Sequence, residues 1–303
     1  MTGATQAGLR LVIAAAAGAT AAGTARLTYH AVNRHPPGGP KAWSRTNHRG
    51  EPVTLLEGPA VAVGAIAGLL AQAGLASATG APGWRRATAM AVGGAGAAVF
   101  GAYDDLAGSG DRRGFRGHLG ALRHAQVTTG AVKLGGIGAT GIASAVLAGG
   151  PLLDMVINAG LVAGGANLLN LFDLRPGRAI KVAAACGAPT VTSAAAPVGA
   201  ALALLPEDLG ERAMLGDAGA NALGAMLGAG AVGLPRPARI AALAGIATLT
   251  AASEKVSFTE VIERTPALHR LDMLGRRPPG GQGESEPHKA RRVPGSRPPE
   301  RYV

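Results

Sequence analysis

The chain has 303 residues and is 48% hydrophobic but only 3% aromatic, with 48 glycines and a formal net charge of +11. Repeated apolar windows that are almost free of charge argue against an ordinary soluble two-domain protein of this length. The scarcity of aromatic side chains argues against nucleic-acid binding, and the single cysteine, Cys186, excludes an internal disulfide.

The apolar windows are predicted to be helices that cross a bilayer. Their apolar character comes mostly from Ala and Gly, which allow helices to pack closely in lipid. The interval 179–205 has room for one comfortable crossing or for two short ones, and both alternatives stay open. The sequence therefore predicts an all-α, polytopic transmembrane helix bundle of about eight to ten crossings. In chain order the windows are 8–23, 53–76, 87–103, 130–148, 151–170, 179–205, 218–234 and 238–252.

The positions of the basic residues predict the orientation of this bundle. If the N-terminus lies outside and 179–205 crosses twice, 23 of the 29 Lys and Arg residues fall on the cytoplasmic side. We therefore expect a multi-pass protein of the cell (inner or plasma) membrane with a cytoplasmic C-terminus. Residues 1–275 form the predicted membrane domain, and 276–303 form a disordered, basic cytoplasmic tail. The cytoplasmic segments are then 26–52, 104–129, 171–181, 206–216 and 254–303.

Acidic and amide side chains gather at the predicted cytoplasmic ends of these windows. Carboxylates at membrane level are costly and usually functional, and several on one side favour a hard cation such as Mg²⁺. Some of the charged residues at these ends also have a purely structural explanation. The Asp pair suits a solvated turn, Asp217 suits a helix N-cap, and Lys133 suits a lysine that reaches the membrane interface. The residues concerned are Asp104 and Asp105, then Asn167, Asn170 and Asp173, and finally Asp217 and Asn221.

Five segments together resemble the polyprenyl-phosphate N-acetylhexosamine-1-phosphate transferase superfamily. This group includes phospho-N-acetylmuramoyl-pentapeptide transferase and the N-acetylglucosamine-1-phosphate transferases. The likeness covers roughly residues 40–275, and its last two segments are the most specific. The segments are NHRGEPVTLLEG (47–58), GAYDDLAG (101–108), GALRHAQVTTGAVKLGG (120–136), NLLNLFD (167–173) and LGDAGANALG (215–224).

The resemblance implies an active site on the cytoplasmic face that uses Mg²⁺, a UDP-sugar donor and a polyprenyl phosphate acceptor. The products would be a lipid-linked sugar diphosphate for cell-envelope or cell-wall synthesis and UMP. It implies that Asp217 is the main Mg²⁺ ligand, that Asp104 or Asp105 orients or deprotonates the acceptor phosphate and assists the metal, and that Lys133 meets a phosphate. The implied substrate-binding residues are Asn167, Asn170, Asp173, Asn221, His269 and Arg270.

The chain departs from the family pattern at two places. The family's second acid after Asp173 is replaced by Pro176, and the histidine run of its late loop is reduced to His269, with Arg270 beside it. These changes support a second hypothesis, a catalytically impaired relative that binds polyprenyl lipid or nucleotide as a membrane scaffold. A transporter is less consistent, because transporter acids lie near the bilayer midplane. Related bundles pack through small-residue helices, so a homodimer is also possible.

Overall fold

Long runs of Ala, Gly, Val and Leu form the helices of this protein, and its sheet content is one short hairpin within the described part of the chain. The computed structural model describes residues 3–107 and 129–278. The helices are α1 (Gly3–Arg34), α2 (Pro40–Trp43), α3 (Glu57–Thr79), α4 (Trp84–Ala107), α5 (Thr129–Ala148), α6 (Leu152–Phe172), α7 (Arg178–Gly187), α8 (Val191–Leu209), α9 (Gly216–Gly230), α10 (Arg236–Ser253), α11 (Phe258–Arg264) and α12 (Pro266–Met273), and the strands are β1 (Ser44–Thr46) and β2 (Pro52–Thr54).

Several helices are suited to a membrane, as the sequence predicts. In the described ranges, five segments are long and apolar enough to cross one: α1, α3, α5, α6 and the stretch Arg178–Leu209. The windows in α4, α9 and α10 do not meet that criterion on their own. A mostly helical protein with several such helices is confirmed, and the number of crossings and their orientation stay predictions.

The interval 179–205 folds back on itself. Helix α7 has ten residues and spans about 15 Å, half of a bilayer core. The chain then reverses, as the contact between its two ends shows: the backbone N–H of Gly177 donates to the Asp208 carboxylate at 3.0 Å. A Cβ on Gly187 would lie 3.0 Å from that of Ala194. Both ends of the interval therefore lie at the same end of the helix assembly, and a single straight crossing is ruled out.

Helix α9 lies in the interior, and 13 of its 15 residues are buried. It packs on α3, α4 and α6 at very short range. A Cβ on Gly101 of α4 would overlap the Asp217 carbonyl oxygen, and a Cβ on Gly224 would overlap the backbone of Gly165 in α6. The small residues that the sequence analysis noted thus bring main chain against main chain.

The hairpin β1–β2 supports the segment that leads into α9. The strands are antiparallel, with Arg45 opposite Val53. Thr54 donates its backbone N–H to the Arg212 carbonyl oxygen at 3.2 Å, and its own carbonyl accepts the Met214 N–H at 3.0 Å. The start of α9 is therefore held from one side by the hairpin and from the other by α4.

Candidate functional site

The end of α4 binds the beginning of α9. The Asp105 carboxylate accepts the backbone N–H of Asp217 at 3.1 Å and that of Ala218 at 2.9 Å. The first amides of a helix lack partners within the helix, so a carboxylate there is favourable. Arg45 donates to the Asp105 carbonyl oxygen from the hairpin side. The expectation that α4 ends at the Asp pair is wrong, because it continues to Ala107.

Asp217 is therefore not the N-cap of its helix, which was one of the structural explanations of this residue. The N-cap position belongs to Leu215, whose side chain forms no capping hydrogen bond. Asp105 provides the capping oxygens instead, and this leaves the Asp217 carboxylate free to interact outside the helix.

Lys133, in the first turns of α5, lies between two carboxylates. Its Nζ is 2.7 Å from an Asp217 oxygen and 3.3 Å from an Asp104 oxygen. The three side chains are 13–23% exposed, so they are sheltered but not sealed from solvent. The predicted catalytic residues Asp104, Asp105, Lys133 and Asp217 are thus brought together from three sequence segments.

The carboxyls of this cluster carry unequal charge. Burial, followed by the charge of Asp217, raises the pKa of Asp105 to about 7. Burial also raises the pKa of Asp217, although Lys133 opposes this effect. These groups lie at helix ends, outside the five membrane-suited helices. At neutral pH Asp105 is therefore partly protonated. Burial works to raise the pKa of Asp104 as well, but the hydrogen bond from Asp217 and the charge of Lys133 outweigh it and lower that pKa.

A second acidic region adjoins the first. Asp173 follows the last residue of α6 and is 8% exposed. Burial, and then the charge of Asp208, raise the pKa of Asp173, whereas the backbone N–H of Gly216 lowers it. Asp173 thus reaches the same helix start that Asp105 caps.

A cavity of about 180 Å³ opens beside Asp173. The loop between β1 and β2 forms one wall. Asn47 Nδ2 and Arg49 Nε of this loop each donate a hydrogen bond of 2.8 Å to the Glu211 carboxylate. Burial lowers the pKa of His48 on the same loop, so its imidazole is more readily neutral. The polar or charged residues and the proline in the wall are Thr46, Asn47, His48, Asp173, Arg175, Pro176, Asp208 and Glu211.

The other predicted substrate-binding residues are more scattered. Asn167 donates to Thr250 of α10 at 3.4 Å, and Asn170 is half-buried one turn before Asp173. Asn221 is fully buried in α9, and its amide atoms have no partner in the described part of the chain. His269 and Arg270 are exposed on α12.

Three residues at this end of the protein were not anticipated from the sequence. Glu57 is completely buried and neither of its carboxylate oxygens has a partner among the described residues. One carboxylate oxygen of Asp208 is likewise buried without a partner among the described residues. Arg45 was counted only as a basic loop residue. The one sequence signal for Glu57 was its place within 47–58, a segment that carries the family resemblance.

The donor set of the cluster fits a hard cation only in part. Residues 3–107 and 129–278 contain no group of three or more His, Cys, Asp or Glu side chains placed to hold a metal ion. Yet Asp104 and Asp217 share one ammonium group, so they are close enough to share another cation. Mg²⁺ prefers one or two carboxylates together with substrate phosphates, and this pair matches that requirement.

The segments of the family resemblance that fall on 108–128 lie outside the described residues, as does the predicted tail from 279 onward. No family model and no curated protein matches the chain in sequence comparison.

Proposed function

We propose that this protein is a glycosyl-1-phosphate transferase, which moves a sugar-1-phosphate from a UDP-sugar to a polyprenyl phosphate. The observation that carries the proposal is the position of Lys133 between Asp104 and Asp217, beside the helix start that Asp105 caps. Phosphoryl transfer depends on positioning and charge neutralisation more than on covalent chemistry. A cation flanked by carboxylates at a helix start offers these two properties.

In the proposed reaction, an oxygen of the lipid phosphate forms a bond to the sugar-linked phosphorus of the donor. The bond from that phosphorus to UMP breaks, and UMP leaves with its oxygen and the electron pair. Lys133 would pair with a phosphate oxygen, and Asp104 would orient the acceptor or take a proton from it. Mg²⁺, if held by Asp104 and Asp217, would neutralise charge on the donor diphosphate.

The surroundings of the cluster suit a lipid acceptor on one side. Val99, Tyr103 and Leu106, in the last turns of α4, are exposed apolar side chains close to Asp104. Such a surface is compatible with a polyprenyl chain that lies along α4 and presents its phosphate to Lys133. The orientation of this end towards the cytoplasm is part of the proposal and rests on the distribution of Lys and Arg.

The cavity beside Asp173 is the proposed place for the nucleotide. It adjoins the cluster through the start of α9 and offers both acceptors and donors, such as Asp173 and Asn47. Its volume of about 180 Å³ is below the roughly 300 Å³ at which ligand pockets begin, so the donor would have to extend beyond it.

A second function is favoured by two observations. Pro176 lines this cavity at the position where the family carries an acid, and Lys133 already forms ion pairs with the two carboxylates that would hold a metal. A catalytically impaired relative that binds polyprenyl lipid or nucleotide as a scaffold in envelope synthesis is consistent with both facts.

The test is Mg²⁺-dependent release of UMP by the purified full-length protein, supplied with polyprenyl phosphate and a panel of UDP-sugars. We expect Asp217→Asn and Lys133→Met to abolish release while the protein stays folded. Lys255→Met, which removes an exposed lysine just beyond α10, is the matched control and should retain the wild-type rate. Binding of polyprenyl phosphate without release of UMP would support the scaffold, and wild-type rates for both site variants would refute the assignment of Asp217 and Lys133 to the active site.

A further inference from the structure

A second polar cavity lies at the opposite end of the helices from the Asp–Lys cluster. It has a volume of about 100 Å³ and is enclosed by α1, the end of α3, the beginning of α4 and the beginning of α8. Arg86 in its wall and Asp104 are 18 positions apart on α4, which corresponds to about 27 Å. This distance is close to the thickness of a bilayer core, so the cavity lies at the level of the other membrane surface.

Two arginines line this cavity without a carboxylate. Arg10 comes from α1 and Arg86 from the first turn of α4, and neither forms an ion pair with any described residue. Burial, followed by the charge of Arg10, lowers the pKa of Arg86. The side chains that line the cavity include no Asp or Glu that would offset the repulsion between the two guanidinium groups.

The remaining polar groups of the cavity hold Arg86 in place and leave one acceptor unused. Arg86 Nη1 donates to Ser193 Oγ at 3.2 Å. Gln72 Nε2 donates to the Thr192 carbonyl oxygen at 2.8 Å, whereas its Oε1 is buried without a partner in the described part of the chain. Buried polar atoms are almost always hydrogen-bonded, so the unpaired oxygen points to a donor that comes with a ligand.

We propose that this cavity binds a phosphate group, carried by an anionic phospholipid headgroup or present as free inorganic phosphate. Guanidinium groups are the side chains best matched to phosphate oxygens, and two of them converge here. A headgroup hydroxyl or a protonated phosphate oxygen would donate to Gln72 Oε1. Trp84, half-exposed in the same turn as Arg86, is a residue type that favours the headgroup level of a membrane.

The small size of the cavity supports this class of ligand. About 100 Å³ is well below the roughly 300 Å³ of a typical pocket for a larger small molecule, so a nucleotide sugar does not fit. The proposal is independent of the transferase, because none of its residues belongs to the Asp–Lys cluster and its readout is binding.

The experiment compares the full-length protein in phosphatidylcholine nanodiscs with and without phosphatidylglycerol, using native mass spectrometry to count retained phosphatidylglycerol. We expect Arg86→Gln to weaken retention roughly tenfold, the usual effect of losing a charged hydrogen bond. Arg10→Gln, at an exposed position, is a second variant that does not threaten the fold. Arg85→Gln is the matched control, since it removes the same charge one residue away from the cavity wall.

A parallel arm adds inorganic phosphate to the phosphatidylcholine discs and measures thermal stability. A stabilisation that depends on Arg86 would identify free phosphate as a ligand, and retention of phosphatidylglycerol without that effect would identify the lipid. Equal retention by Arg86→Gln, Arg10→Gln and Arg85→Gln would overturn the proposal, because the attraction would then be a general effect of surface charge. Absence of any Arg86-dependent binding in both arms would overturn it as well.

Discussion

The Asp105 carboxylate caps the helix that carries Asp217, although the two residues are 112 positions apart in the chain. One acidic residue thereby fixes the place of another. Asp105 therefore has a structural task that is separate from any chemistry, and substitutions at Asp105 will affect stability.

Replacement of Asp105 tests this structural task. We expect Asp105→Ala to lower the free energy of unfolding by about 1–3 kcal/mol, because it leaves two buried amides of α9 unpaired. Asp105→Asn keeps one acceptor oxygen and should lose less. Thermal unfolding in detergent measures both variants. If alanine and asparagine destabilise equally, the cap is not what stabilises this helix start.

The close contact between α4 and α9 gives a second prediction. We expect Gly101→Ala to destabilise the protein by about 1–3 kcal/mol, because its Cβ overlaps the Asp217 carbonyl oxygen and separates the helices. Gly74→Ala is the matched control. A Cβ there meets nothing within 4 Å, so the substitution should be neutral or slightly stabilising. Similar melting temperatures for the two variants would contradict the packing described for α9.

The buried pair between Arg178 and Asp272 holds α12 against α7. Arg178 donates to Asp272 through Nε at 2.7 Å and Nη2 at 3.1 Å, and Arg276 donates to the same carboxylate at 2.6 Å. We expect Asp272→Asn to cost about 3–5 kcal/mol at neutral pH, because two guanidinium groups lose a buried partner. Denaturation measured in parallel with Glu260→Gln, which removes an exposed ion pair with Arg264, separates this effect from general charge loss.

The same pair predicts a dependence on pH. Burial works to raise the pKa of Asp272, but the hydrogen bonds and charges of Arg178 and the charges of Arg276 and Lys181 outweigh it and lower the pKa. Because the pKa in the folded protein is below its unfolded value, the stabilisation is complete above the unfolded pKa of about 4 and is lost as the pH falls through the folded value. The difference between wild type and Asp272→Asn should therefore shrink below about pH 4. A constant difference down to pH 2.5 would exclude the carboxylate as its source.

Two truncations of the basic C-terminal segment separate its effect on lipid binding from its effect on stability. Deletion of 279–303 should leave the fold and UMP release intact and weaken binding to anionic vesicles by about 1 kcal/mol per basic residue near the surface. Deletion from 276 should also destabilise the protein, because Arg276 contacts Asp272 and Arg277 contacts Glu51. Vesicle co-sedimentation and thermal unfolding measure the two effects. Loss of UMP release in the shorter deletion would place the tail in the site.

Much of the site was predictable because charged residues stand out in an apolar sequence. Asp104, Asp105, Lys133 and Asp217 interrupt or end apolar windows, and in the folded chain they contact one another at one end of the helices. The helices were predictable because long apolar windows almost free of charge are typical of helices that cross a membrane. Composition does not show where a helix ends. The continuation of α4 through the Asp pair to Ala107 could therefore not be predicted.

The unpredicted features depend on contacts between distant segments. Arg45 reaches Asp105 across 60 positions, and nothing near Arg45 in the sequence indicates that partner. Asn221 was expected among the substrate-binding residues because of its motif, but the packing of α9 encloses it completely. The return of the chain at 187–191 was left open because the length of 179–205 allows either path.

The enclosure of α9 by neighbouring backbone has a consequence for how this protein can diversify. Where main chain touches main chain, as at Gly101 and Gly224, any larger side chain destabilises the packing, so substitutions at these sites are disfavoured. If the protein is the proposed transferase, new donor preferences would arise instead in the β1–β2 loop and around Arg175 and Pro176, where side chains border open space. Variation among relatives should therefore be concentrated in those loops and nearly absent along the glycine face of the interior helix.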